Sequence, residues 1–142
     1  MNIQQTTTEQ QKKDAFFVRQ KVFVEEQHVS MEEEMDQFDD YANHFVGYEH
    51  DAPVAASRLR FLEEYGKLER IAVLKDYRGN SYGKQMILFM EDFVKAEGYS
   101  KTKLNAQTRA IRFYESLGYE VISDEEFMDA GIPHKTMTKS LS

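Results

Sequence analysis

Leu68-Glu69-Arg70-Ile71-Ala72-Val73-Leu74 leads through Lys75 and Asp76 into Tyr77-Arg78-Gly79-Asn80-Ser81-Tyr82-Gly83-Lys84, and from there into the helical pattern of Gln85 to Glu97. The stretch predicts a strand, a glycine-bearing turn and a helix N-terminus in direct succession, with an arginine at the mouth. Such a turn offers unpaired backbone N–H groups and the positive end of a helix dipole, and both favour an anion. Glycines let the backbone approach that anion with no Cβ in the way. The simplest ligand is a phosphate or diphosphate. Spacing excludes two common phosphate loops. A P-loop places four residues between its glycines and follows the second with Lys and Ser or Thr. Here only Asn80, Ser81 and Tyr82 separate Gly79 from Gly83, and Gln85 follows Lys84. A dinucleotide fingerprint needs Gly-x-Gly-x-x-Gly, and that spacing is absent too.

On the amino-terminal side, His44 to His50, Val54 to Leu62 and a strand opening at Gly66-Lys67 and ending near Leu74 predict an antiparallel meander, its first turn at Asp51-Ala52-Pro53. Residues 9–26 read as a helix with Ala15, Phe16, Val22 and Phe23 among its apolar positions. Residues 30–40 read as an acidic short helix or loop. On the carboxyl-terminal side, Met86, Met90, Phe93 and Val94, with Ile87 beside them, form the stripe of a core-facing helix that Gly98 ends. Lys101 to Ala106 is a strand, and Thr108 to Leu117 a helix with Ala110, Phe113, Tyr114 and Leu117 on one face and Gly118 closing it. Tyr119 to Ile122 and Lys135 to Thr138 are closing strands, a hairpin across a long turn. Behind the leading helices the order ββαβαββ predicts an α/β chain of the mixed α+β kind. It is expected to form one domain over residues 1–142, with a mixed, mostly antiparallel sheet and helices on both faces.

Two motifs and two shorter segments carry a family likeness. Arg78 to Gly83, preceded by Ile71-Ala72-Val73-Leu74, resembles the coenzyme A loop of the GNAT superfamily of N-acetyltransferases, Arg/Gln-x-x-Gly-x-Gly/Ala. Ser81 stands where the middle glycine usually sits, and a positive φ there would strain it. Leu104 to Tyr119 is similar to the family's Asn-x-x-Ala-x-x-x-Tyr-x-x-x-Gly-Phe element: Gln107 replaces the Asn, Tyr119 replaces the Phe, and Ala110, Tyr114 and Gly118 are in place. Arg19-Gln20-Lys21-Val22-Phe23-Val24-Glu25-Glu26-Gln27 resembles the first helix of a small bacterial subgroup. With Ala130-Gly131-Ile132-Pro133-His134-Lys135, the likeness covers nearly the whole chain.

The resemblance implies a fold whose fourth and fifth strands splay apart to hold the cofactor in the gap. It implies acetyl-CoA as cosubstrate and an N-acetyltransferase in which a primary amine attacks the thioester directly within a ternary complex. Arg78, with the N–H groups of Gly79, Asn80, Ser81, Tyr82, Gly83 and Lys84, would bind the diphosphate. Ile71, Ala72 and Val73 would meet the pantetheine arm through their backbone. Gln107 would hydrogen-bond the pantetheine amide, and Tyr114 would protonate the departing sulfur as general acid.

Each assignment has a structural counterpart. Arg78 is otherwise a surface arginine in a turn, Lys84 a solvated cation, and Ile71 and Val73 strand core. Tyr114 on a helical stripe is otherwise a packing residue, and Gln107 a helix cap. An amine arrives mostly as ammonium, so a base is needed. Strand alternation places Glu69 on the face of Ile71 and Val73, which makes it the base candidate. Otherwise it is a solvent-facing glutamate or a salt-bridged one, with Arg58 as a candidate partner. Glu26 and His134 follow from resemblance. A non-catalytic acyl-CoA-binding sensor of the same fold is the alternative function.

Composition narrows the classes. At 142 residues with 41% apolar and 13% aromatic residues, the chain is long enough for a core and too apolar for disorder. A net charge of −7 argues against nucleic acid as a partner. No membrane-length apolar run and no leader-like segment are present, so a cytoplasmic location is expected, as monomer or homodimer. The absence of cysteine excludes a cysteine acyl-enzyme. The run Glu32, Glu33, Glu34, Asp36, Asp39 and Asp40 reads as a solvated face or as an attractor for a cationic amine. His28, His44, His50 and His134 lack metal spacing, so no metal is expected.

Overall fold

The computed structural model describes residues 1–141. Its strands are β1 (Asn2–Gln5), β2 (Asn43–Glu49), β3 (Ala52–Leu62), β4 (Tyr65–Val73), β5 (Lys101–Gln107), β6 (Glu120–Val121), β7 (Phe127–Asp129) and β8 (Ile132–Ser140). The helices are α1 (Glu9–Arg19), α2 (Met31–Glu34), α3 (Tyr82–Ala96) and α4 (Ile111–Ser116). The strands join one sheet in the order β1-β2-β3-β4-β5-β8-β6, with β7 on β8. Every pairing is antiparallel except that of β4 with β5. The predicted meander and the helix on either face are present, and the sheet is mixed and mostly antiparallel.

Two apolar cores lie on the two faces. On one, α3 lays Met86, Ile87, Met90 and Val94 against Phe45, Leu59, Leu68 and Leu104. On the other, Ala15, Val18 and Val22 pack on Val46, Ala56 and Ala72. The periodicity of α3 therefore reads correctly from sequence. The ββαβαββ order omits β1, one meander strand and β7. β1 escapes notice because Asn2–Gln5 is polar and forms only as an edge strand along β2. The first hairpin turns at His50 and Asp51, ahead of the expected Asp51-Ala52-Pro53. Both take positive φ (50° and 67°), the two-residue geometry that matches strand twist. The helix over 9–26 is continuous, but its last turns, Gln20–Glu26, widen to π-helix.

The gap in the sheet has a local cause. Arg70 takes φ 54°, and the β3–β4 register slips between Ala56 and Arg58. This is a bulge, which bends the strand that carries it. The β4–β5 ladder runs only from Gly66↔Thr102 to Leu68↔Leu104 and then stops, while β5 stays paired with β8 to Gln107↔His134. Beyond Leu68 the two parallel strands diverge.

Candidate active site

A cavity of about 620 Å³ occupies that divergence, within the size range of ligand sites. Its walls are β4 from Leu68 to Val73, β5 at Leu104, Asn105 and Gln107, the turn at Arg78 to Lys84, and Phe113 and Tyr114 of α4. The edge of β4 is open there. The Leu74 N–H bonds the Val54 carbonyl on the β3 side. Alternation therefore turns the N–H and C=O of Ile71 and Val73 toward the gap, where no ladder partner stands. Their side chains pack against the α3 core, so backbone and side chain hold separate roles. Ala72 faces the other way, its side chain buried in the α1 core.

α3 begins at Tyr82, three residues before the expected Gln85, so Gly83 and Lys84 belong to its first turn. Its N-cap, Ser81, makes no side-chain cap and sits in the left-handed region at φ 63°, ψ 21°. The first helical bond is Gln85 N–H to the Ser81 carbonyl. Among the described residues the N–H groups of Tyr82, Gly83 and Lys84 have no acceptor, so the start of a long helix presents orphan donors at the cavity. Gly79 takes φ 88°, which suits only glycine without strain. A Cβ on Gly83 would meet nothing closer than Phe113 Cζ at 3.9 Å; it would protrude into the open space. Asn80 donates to the Tyr77 carbonyl at 3.1 Å and steadies the turn. The Tyr82 hydroxyl donates to Glu49.

Arg78 is already engaged. Its Nε donates to the Val73 carbonyl at 3.0 Å, and Nη1 and Nη2 donate to the two oxygens of Glu26, each at 2.7 Å. This hydrogen-bonded pair holds the Glu26 carboxyl below the usual range. Gln107 does not cap the following turn. Its amide donates to Gln27 at 3.1 Å and accepts from Arg109 Nε at 3.0 Å, tying the end of the first helix to the end of β5.

Tyr114 lies against the rings of Phe113 and Tyr119, and its hydroxyl has no hydrogen-bond partner among the described residues. Burial pushes its pKa up to about 12, so the phenol stays protonated at neutral pH. Tyr114 thus packs against its neighbours and also lines the cavity.

Glu69 is a correction. The bulge at Arg70 breaks the alternation on which its placement with Ile71 and Val73 rested. Leu68, Ile71 and Val73 meet the α3 core; Glu69 also lines the cavity, but its carboxylate is drawn to the arginines of the meander rather than to that core. There it accepts from Arg60 Nε at 2.7 Å and Arg58 Nε at 3.1 Å, with Lys67 Nζ 3.4 Å away. Burial alone would raise its pKa, but these cations outweigh burial and hold it at about 2. The expected pairing with Arg58 is present. His134 is buried, bonded to the Ile132 carbonyl at 2.7 Å and stacked on Phe127, and it does not line the cavity.

The acidic run divides: Glu32, Glu33 and Asp40 are exposed, as a solvated face would be, whereas Glu34, Asp36 and Asp39 pair with arginines. Arg19 pairs with Glu34 at 2.6 Å and Asp39 at 2.8 Å. Arg58 pairs with Asp36 at 2.6 Å and Asp39 at 3.0 Å, and Arg70 reaches Asp36 at 3.2 Å and the Glu33 and Glu34 carbonyls. Arg19 and Glu34 are buried. The signal was present in the sequence: Arg19 falls on the stripe Ala15, Val18, Val22 that α1 buries. Asn105 and Phe113, which also line the cavity, were passed over. Among the described residues no group of three or more His, Asp or Glu is placed to hold a metal ion, and no helix is long and apolar enough to cross a membrane.

A split parallel pair, an open strand edge and an uncapped helix start after Arg78 define an acyl-coenzyme A transferase architecture, and residues 3–141 match the acetyltransferase (GNAT) domain family. The chain belongs to that family. It is 48% identical to the uncharacterised N-acetyltransferase YjcF of Bacillus subtilis, over 92% of this chain and 94% of that one. It is 43% identical to YyaT of the same organism, over 100% of this chain and 97% of that one. A crystal structure of a candidate N-acetyltransferase from Lactobacillus plantarum superposes with a TM-score of 0.92 at 30% identity, covering 99% of this chain and 98% of that one. An aminoglycoside 6'-N-acetyltransferase complexed with coenzyme A shares the fold at a TM-score of 0.78 and 14% identity, covering 100% and 98%.

Proposed function

We propose that the protein transfers an acetyl group from acetyl-CoA to a primary amine by direct attack within a ternary complex. One observation carries the reading: the open edge of β4 at Ile71 and Val73 leads straight to the orphan N–H groups of Tyr82, Gly83 and Lys84. An elongated thioester with a diphosphate at its far end matches both. The coenzyme A held by the fold neighbour supports the same reading.

Acetyl-CoA supplies a thioester-activated acetyl group. The helix start, the Gly79–Ser81 turn and Arg78 bind the diphosphate. The gap-facing backbone of Ile71 and Val73 orients the pantetheine arm, and an N–H of this edge polarises the thioester carbonyl. Tyr114 gives its proton to the sulfur as the C–S bond breaks, and the new C–N bond forms to the amine. Glu69 fits the base role poorly: at a pKa of about 2 it is far from the operating pH that favours proton acceptance. The ammonium proton therefore leaves to solvent, and Glu69 instead orders Arg58 and Arg60.

The test is thiol release from acetyl-CoA across a panel of amines, alongside melting with and without coenzyme. Wild type is expected to melt higher with acetyl-CoA, since a ligand of the native state stabilises it, and to release thiol with at least one amine. Arg78→Ala is expected to weaken acetyl-CoA binding about tenfold. A wild-type protein that does not bind acetyl-CoA refutes the reading. Binding without turnover of any amine leaves the sensor alternative, which the engagement of Glu69 favours.

A further inference from the structure

Asn105 stands at the fork of the split sheet. The β4–β5 ladder ends at Leu68↔Leu104, so Asn105 is the first β5 residue beyond the last pair. Across the gap lies the bulge at Glu69 and Arg70, and all three residues line the cavity. From this fork both strands run toward the mouth, where the Arg78 turn and the start of α3 stand. The edge of β4 from Leu68 to Val73 covers roughly 17 Å at about 3.3 Å per residue, a span that an extended pantetheine arm matches. A thioester whose diphosphate sits on the N–H groups of Tyr82, Gly83 and Lys84 therefore places its acyl end near the fork.

The Asn105 carboxamide is held in one orientation. Leu104 and Ala106 belong to the α3 core, so strand alternation turns Asn105 to the opposite face. Its cross-strand partner there is Thr136 of β8, whose hydroxyl donates to Asn105 Oδ1 at 2.9 Å. Thr136 is itself fixed. Its N–H donates to the Ser123 hydroxyl at 3.0 Å, and its carbonyl accepts from the Ile122 N–H at 2.9 Å. β8 flanks β5 on one side and the gap flanks it on the other. With Oδ1 drawn to β8, the planar carboxamide turns Nδ2 toward the gap, and Nδ2 has no acceptor among the described residues. The ionised side chains across the fork are engaged elsewhere: Glu69 by Arg58 and Arg60, Arg70 by Asp36 and the α2 carbonyls. Asn105 thus offers a neutral, oriented donor. A carboxamide N–H takes no proton from an ammonium and repels its charge; its partner is an oxygen.

Building on the transferase reading above, we infer that Asn105 is a further catalytic residue, its Nδ2 donating to the acetyl carbonyl oxygen from the β5 lip, opposite the β4 backbone. As the amine adds to the carbonyl carbon, the π pair moves onto that oxygen, and donors from both lips stabilise the charge. The pair returns to the carbonyl as the C–S bond breaks and Tyr114 protonates the sulfur. Asn105 neither gains nor loses a proton.

The test binds acetyl-CoA, isotope-labelled at the thioester carbonyl, to wild type and to Asn105→Ala, and reads the carbonyl stretch by infrared difference. Loss of the donor is expected to raise the stretch frequency. Acetyl-CoA is expected to bind Asn105→Ala about fivefold more weakly, while coenzyme A, which lacks the acetyl group, binds both proteins equally. A merely structural role would weaken both ligands alike. Asn105→Asp keeps the acceptor for Thr136 and removes the donor, so it supplies the same affinity comparison where the alanine variant does not fold. With an amine that turns over, kcat is expected to fall about a hundredfold. An unchanged carbonyl stretch in acetyl-CoA-bound Asn105→Ala, or equal weakening of both ligands, overturns the inference and leaves the transferase reading intact. A wild-type protein that does not bind acetyl-CoA overturns both. A shifted stretch with no turnover of any amine supports the Asn105 contact and refutes the transferase reading.

Discussion

Replacing Glu26 with glutamine is expected to tighten coenzyme A binding. In the free protein each nitrogen of the Arg78 guanidinium donates one bond, Nε to the Val73 carbonyl and Nη1 and Nη2 to the two Glu26 oxygens, so its terminal edge is turned to Glu26. A diphosphate that recruits Arg78 must displace Glu26 or accept its charge alongside. The two side chains are 42% and 37% exposed, so the pair has the strength of a surface ion pair, about 0.2–1 kcal/mol, with its bidentate geometry at the upper end. Removing a competitor worth about 1 kcal/mol tightens Kd about fivefold. The loss of a negative charge beside the phosphates acts in the same direction and is screened by salt. Calorimetric titration of coenzyme A into both proteins reads the difference at low ionic strength. Repeating it near 1 M salt, where the screening length falls to about 3 Å, is expected to shrink the gap between them. Equal or weaker binding by a folded Glu26→Gln protein would refute the competition and recast Glu26 as a support for Arg78.

Three further outcomes follow from the geometry. Ser81→Gly removes a left-handed serine at φ 63° and is expected to raise stability by about 0.5–1 kcal/mol after the extra freedom of unfolded glycine is subtracted; a denaturant midpoint that does not rise, at unchanged slope, contradicts it. Tyr114→Phe removes an unpartnered hydroxyl and keeps the ring, so stability should hold within about 0.5 kcal/mol while kcat falls about a hundredfold at constant coenzyme affinity; an undiminished kcat removes the acid role. Acid should destabilise the fold in two stages. His44 is buried with its Nδ1 unpartnered, and burial, together with Arg19 and Arg58, lowers its pKa against the opposing pull of Asp39. The unfolded chain therefore takes up the proton first, and stability present above pH 6.5 is lost as pH falls below it. Asp39, buried yet held low by Arg19 and Arg58, and Glu69, held at about 2, carry the loss below their ordinary values of 3.8 and 4.5. Denaturant melts from pH 7.5 downward check this, and a stability unchanged between about pH 7 and 5 would exclude the His44 stage.

The turn between β4 and α3 was legible in sequence because its signal is local. Gly79, Gly83 and Arg78 sit within one turn, and the stripe of Met86, Met90 and Val94 fixes the helix behind it. Ile71 and Val73 line the same cavity as these turn residues. What failed was non-local. Alternation is a safe guide only while the ladder is regular, and nothing in the letters of Glu69-Arg70-Ile71 announces that Ser57 on the neighbouring strand must face an extra residue. Arg78's engagement with Glu26 joins positions far apart in sequence, as do the counter-ions of Arg19 and Arg58. In the acidic run, Glu32, Glu33 and Asp40 are solvated as the charge pattern suggests, while Glu34, Asp36 and Asp39 are not, because sequence shows charge and not the arginines that arrive from α1, β3 and β4.

The bulge at Arg70 links these separate findings. An extra residue in β4 rotates the strand's faces by one position, so Glu69 and Arg70 both turn toward the acidic segment while Ile71 and Val73 regain the α3 side. The same bend pulls β4 from β5 after Leu68 and opens the gap. Arg70, held in a conformation that is costly for a side chain of its size, is the residue that donates to the carbonyls of Glu33 and Glu34. The strand defect that opens the cavity therefore also anchors α2. A regular β4 would extend the ladder with β5, close the edge at Ile71 and Val73, and leave α2 without its tether. The cavity and the placement of α2 thus depend on one backbone conformation.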